Sequence, residues 1–174
     1  MKYIRLAMIV IMIIFVSNSY NLAQADSYSH TIEVFRESPG VQPFFENAYG
    51  YAVFPTVGKG GIGIGGAYGK GRVYRGGVVT GTTSLTKATI GFQFGGEAFS
   101  EIIFFQDKRA YDEFTRGNFE FDAAASAVAI LSGAQAYYTK GMAVFVHTKD
   151  GLMYEAPARE AQAIGGQKFS FKAQ

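Results

Sequence analysis

The sequence predicts an α+β fold: an antiparallel, barrel-like β-sheet with an N-terminal helical segment and one short internal helix. Three observations predict it. Apolar residues early in the chain recur at the three-to-four spacing of a helix, most residues beyond position 50 fall in short runs with a period of two, and these runs follow one another without the helices a parallel sheet needs between strands. About seven to nine strands are expected. Closing them into a barrel would remove exposed edges.

The first 25 residues form a separate unit. Lys2 and Arg5 precede the unbroken apolar run Leu6 to Val16, and polar residues then lead to Ala23-Gln24-Ala25. A basic start, a short apolar stretch and small residues at −3 and −1 describe a secretory signal peptide cleaved after Ala25; a membrane span needs ~20 apolar residues. The expected organisation is a signal peptide over 1–25 and a single domain over 26–174, helical in 26–49 and mainly β in 50–174.

Of 16 basic and 14 acidic residues, only Lys2 and Arg5 precede Asp26, so the exported part carries fourteen of each. That balance argues against nucleic acid as a partner, which calls for a strongly basic face. The chain has no Cys. It therefore has no disulfide framework, thiolate metal site, Cys nucleophile or lipid-modified cysteine. No Asn-x-Ser/Thr sequon follows residue 25, in keeping with bacterial export.

In order, Ile32 and Phe35 share one helical face, and Val41, Phe44, Phe45 and Ala48 share another. Ser38-Pro39 lies between them, so Ser38 is expected to cap a second helix that starts at Pro39, with Gly50 as terminator. Residues 51–55 then form a short strand. Positions 58–81 hold 11 of the 22 glycines, and Gly61, Gly63 and Gly65 alternate with Ile62 and Ile64. As a strand, these glycines lie on one face and imply that a backbone or large ring packs directly against them.

Further strands are expected over 72–80, 87–94 and 98–105. Asp107 is the expected N-cap of the internal helix, which carries Ala110, Tyr111 and Phe114, with Arg116 in its last turn and Gly117 at C′. Phe119 and Phe121 open another strand, 142–148 and 152–156 form a hairpin across 149–151, and Phe169 and Phe171 alternate with Lys168, Ser170 and Lys172. The Ala-rich 123–136 stretch suits a helix or a tightly packed strand; we favour a strand followed by a loop.

Chemistry-bearing motifs are few. Gly58-x-Gly60-x-x-Gly63 matches a dinucleotide-binding string, but the next residues, Ile64-Gly65-Gly66-Ala67-Tyr68-Gly69, suit no helix whose N-terminus could meet a pyrophosphate. His30 and His147 have no metal-ligand spacing, and His147 is a polar position in an alternating strand. Glu97 and Glu101 share a strand face some 13 Å apart, beyond the separation of a glycosidase pair. Asp112-Glu113 suits a solvated helix face. Thus no catalytic residue, cofactor or metal is expected. Lys59, Lys70, Arg72 and Arg75, with Lys87 beyond, lie in a stretch free of acids between Glu46 and Glu97. Basic side chains beside Gly-rich turns can bind anionic head groups.

The run 48–61 (Ala-Tyr-Gly-Tyr-Ala-Val-Phe-Pro-Thr-Val-Gly-Lys-Gly-Gly), then Gly65-Gly66-Ala67-Tyr68-Gly69-Lys70-Gly71, Gly91-Phe92-Gln93-Phe94-Gly95-Gly96, Ile102-Ile103-Phe104-Phe105 and 123–136 together resemble the SYLF family over roughly residues 30–174. The resemblance implies lipid binding without catalytic residues, through basic and N-terminal amphipathic surface. In this sequence that maps onto Lys59, Lys70, Arg72, Arg75 and the helix around Phe44 and Phe45. Unlike eukaryotic members, the chain has a signal peptide and no attached SH3 or FYVE module. Actin and phosphoinositides are accordingly not expected as partners. The expectation is a peripheral, anionic-phospholipid-binding protein of the bacterial periplasm or envelope surface; the alternatives are an envelope scaffold without lipid and, against the evidence of its helices and C-terminal Phe171-Lys172-Ala173-Gln174, an integral outer-membrane barrel.

Overall fold

The computed structural model of the chain describes residues 27–91, 97–121, 127–130, 138, 140–148, 151–156 and 167–174. The signal-peptide segment expected over 1–25 lies outside them. Helix α1 covers 27–36 and buries Tyr28 and Phe35. Helix α2 is Gln42–Asn47, shorter than expected. Its N-cap is Val41, not Ser38, and a proline at its second position, Pro43, takes the place expected of Pro39. The reason is local: Ser38 spends its carbonyl on the amides of Val41 and Gln42, at 3.0 and 3.2 Å, so 38–41 form a turn before the helix begins. Gly50 does not terminate α2, which ends at the extended Ala48.

Gly50 instead opens β1, Gly50–Arg75, one strand of 26 residues where two short ones were expected. β2 is Val78–Gly91, so the expected strand over 72–80 is two strand ends joined by a tight turn. Gly76 and Gly77 carry the chain through it with φ of +57° and +79°, a pair that glycine adopts without a steric penalty. β3 (Glu97–Phe105) follows, then α3 (Lys108–Thr115), β4 (Asn118–Phe121), β5 (Ala127–Ile130), β6 (Met142–Thr148), β7 (Gly151–Ala156) and β8 (Gln167–Ala173). The Asp107 side chain accepts from the Ala110 amide at 2.8 Å, as its cap position predicts. Gly117 follows with φ +117°. β5 supports the strand reading for part of the Ala-rich stretch; 123–126 and 131–136 lie outside the described residues, as do 92–94 of the expected third strand.

All pairings are antiparallel, in the order β4-β8-β2-β1-β3-β6-β7-β5. The α+β class is therefore correct. Barrel closure is not confirmed: among the described residues, β4 and β5 are the two ends of an open order. β1 folds on itself. Its first part pairs with β3 (Gly50↔Phe105 to Lys59↔Glu97) and its second with β2 (Gly63↔Gly91 to Arg75↔Val78). A Cβ on Gly71 would lie 2.7 Å from the Phe54 ring and 2.8 Å from the Val53 carbonyl, and one on Gly69 2.8 Å from Val57. The halves of one strand thus lie against each other, and glycine is what lets them approach. The close packing expected of the Gly-rich strand is found at these positions; that around Gly61 and Gly63 lies outside the description.

Two apolar clusters result. The inner one joins Phe54, Val73, Leu85, Ile103, Phe105 and Phe169 with Tyr111 and Phe114 of α3. Phe169 lies 5.9 Å from Phe54 and 5.0 Å from Phe114, ring to ring. The second cluster lies on the opposite face of β1, β3 and β6, where Val53, Ile102, Phe104 and Phe145 meet Phe35, Val41 and Phe44. Helices α1 and α2 cover that part of the sheet. Among the described residues, no helix is long and apolar enough to cross a membrane.

Candidate functional site: an open cationic groove

β2 alternates Thr80, Thr82, Ser84 and Thr86 with Gly81, Thr83, Leu85 and Lys87. Period two sends Gly81, Thr83 and Leu85 inward, where they are buried, and turns the exposed Thr82 and Thr86 outward. β8 does the same, burying Phe169 and exposing Lys168, Ser170 and Lys172. The second part of β1 adds the exposed Tyr68 and Lys70 and the half-buried Arg72. Register sets these side chains in rungs: Lys70↔Ser84↔Ser170, and Arg72↔Thr82↔Lys172. Directly opposed residues have Cβ atoms ~4.5–5.5 Å apart, so the first rung joins one cation to two hydroxyls and the second two cations to one hydroxyl across three strands.

The rungs floor a groove of about 420 Å³. Tyr28 of α1 closes one side. Its hydroxyl donates to the Lys70 carbonyl at 3.3 Å, and the Arg72 guanidinium stacks 4.3 Å from its ring centroid. Burial pushes the Tyr28 phenol above its ordinary pKa, opposed by the nearby Arg72 charge. Burial likewise raises Tyr74, opposed by a hydrogen bond from Arg72. Arg72 thus lies beside two aromatic side chains and stacks on that of Tyr28. The lining includes Lys70, Arg72 and Lys172 and, among the described residues, no carboxylate. A second cleft of about 300 Å³, reaching Pro55, Thr56 and Gly58, shares Tyr28, Tyr68 and Lys70 with the first.

The four cations singled out in the sequence do not form one patch. Lys70 and Arg72 lie together in the groove. The Lys59 amine sits 4.7 Å from the centroid of Phe99, which belongs to the inner cluster, and the Arg75 guanidinium 5.7 Å from that of Tyr111. Period two separates them: 70 and 72 share one face, while 59 and 75 have the other parity. Lys172 was missed, although its alternation with Phe169 and Phe171 already showed a polar face. The expected amphipathic contribution of α2 is spent internally. Phe44 is buried, and Phe45 meets Phe104 edge-on, with centroids 4.9 Å apart.

Other candidate groups are placed apart from the groove. His30 is exposed on α1, whereas His147 is edge-on to Phe35, with centroids 6.3 Å apart. Glu101 is fully buried, between Phe54 and Val146 in register. Asp112 and Glu113 pair with Lys108 and Arg109 on the solvated face of α3.

No protein-family model matches the chain. Over 139 residues it is 28% identical to Beta cell expansion factor A of Aeromonas veronii, an alignment that covers 72% of this chain and 49% of that protein. The chain spans about half the length of the curated relative it matches.

Proposed function

We propose that this is an exported, non-enzymatic protein of the SYLF type that makes peripheral contact with anionic phospholipid through the groove face. The observation that carries the reading is the convergence of Lys70, Arg72 and Lys172 on one open, hydroxyl-rich face whose lining has no carboxylate among the described residues. The glycine pattern of β1 and the likeness to Beta cell expansion factor A over most of the chain support the SYLF type alone. Near an anionic surface each such cation contributes about 1 kcal/mol, so three can give measurable binding although the exported part has no net charge.

Vesicle sedimentation tests the reading. The protein is expected to sediment with phosphatidylglycerol-containing vesicles and poorly with pure phosphatidylcholine, more weakly as salt rises past a Debye length of ~8 Å. Replacing Lys70, Arg72 and Lys172 together by Gln should reduce binding by about 100-fold, about 3 kcal/mol, with the melting temperature kept. A folded triple variant that sediments like wild type removes the groove from the contact. Absence of wild-type binding leaves an envelope scaffold without lipid.

A further inference from the structure

We infer that the groove binds a stretch of an acidic, uronic-acid-bearing polysaccharide. This does not rest on the bilayer reading, which needs only surface charge; it rests on what else lines the groove. The two clefts share Tyr28, Tyr68 and Lys70, so they adjoin along those three side chains, and both are open to solvent. Their volumes, about 420 and 300 Å³, fall in the range of ligand sites, ~300–1,000 Å³. Two adjoining clefts open to solvent suit a ligand of linked units more than a single compact group.

The lining chooses the chemistry of those units. Thr82, Ser84 and Ser170 present hydroxyls in rows, with neighbouring strands ~4.8 Å apart, each able to donate and accept. A fatty chain would leave all of these unpaired, whereas a polyhydroxylated ligand meets them. Tyr68 is 53% exposed although large and aromatic, and it lines both clefts, with Gly66 two residues before it on the same strand face adding no side chain beside its ring. The negative face of such a ring attracts the weakly positive C–H bonds on the flat side of a sugar. Lys70, Arg72 and Lys172 then require that the sugar carry acid groups. Arg72 stacks on Tyr28, and its planar fork matches a carboxylate in two parallel hydrogen bonds.

Isothermal titration of the protein with trigalacturonic acid, maltotriose and inorganic phosphate at one ionic strength tests the inference. Trigalacturonic acid should bind, and maltotriose should bind at least tenfold more weakly. Tyr68→Ala should lower trigalacturonate affinity at least tenfold at an unchanged melting temperature, while Tyr68→Phe, which keeps the ring, should retain it. Failure of trigalacturonate to bind overturns the inference, as does equal binding of maltotriose or wild-type affinity in Tyr68→Ala. Displacement of trigalacturonate by inorganic phosphate at equal concentration also overturns it, since the site would then hold an oxyanion and no sugar. Wild-type vesicle sedimentation is measured in parallel. Trisaccharide binding without vesicle binding defeats the phospholipid reading alone, and the reverse result defeats this one alone.

Discussion

The outer face of the sheet has two regions, and β1 belongs to both. Beneath α1 and α2 it presents Val53, Ile102, Phe104, Ala143 and Phe145, an apolar surface that needs a cover. Beyond Tyr28 it presents Lys70, Arg72, Thr82, Ser84, Ser170 and Lys172, and there the helical layer stops. The inner face is apolar behind both. A sheet that buries one side gains most of its stabilisation there, which frees part of the other side to keep polar groups in water. The covered region builds the molecule; the open one is available for recognition.

Substitutions can break this contrast in order of size. Phe104 is fully buried in the covered region, with ring centroids 5.6 Å from Phe44 and 4.9 Å from Phe45. Phe104→Ala should cost about 3–5 kcal/mol in denaturant unfolding, the range for a core aromatic. A loss below about 1 kcal/mol would mean that the helices are loosely held. Gly71 lies where the two regions meet, and an added methyl would press on the Phe54 ring and the Val53 carbonyl. Gly71→Ala should cost about 1–3 kcal/mol by overpacking, measured the same way; an unchanged midpoint would show slack in the crease. Thr82→Val, on the open face, should move stability by no more than about 0.5 kcal/mol. A larger loss would show that this face is packed against something after all.

Local signals in the sequence were accurate where one residue type has one physical role. Asp107 and Gly117 frame α3 as expected because a short side-chain acceptor and a left-handed residue are each needed there. The turn at Gly76-Gly77 was missed because eleven glycines in the surrounding stretch hide the two whose φ matters. Barrel closure was not legible for a related reason. Alternation reveals which side of a strand is buried, but not whether burial comes from hydrogen-bonded closure or from a strand doubling over on its own glycines. As for the groove, Lys70 and Arg72 were legible by proximity along the chain. Lys172 and Tyr28 were not, because cross-strand register and helix docking bring them in from opposite ends of the sequence. Parity would have separated Lys59 and Arg75 from the pair.

The length of β1 also sets the order in which the sheet can be assembled. Its hairpin with β2 closes across two residues and can zip locally, whereas Gly50 must wait for Phe105 and Gly81 for Ala173. Until β8 emerges, the far edge of β2 is an unpaired row of amides and carbonyls, the kind of edge that recruits strands from other chains. Two residues of the groove lining, Ser170 and Lys172, arrive on that same strand. The groove lining and the cover of the nascent edge are thus completed in one step, by the seven residues of β8.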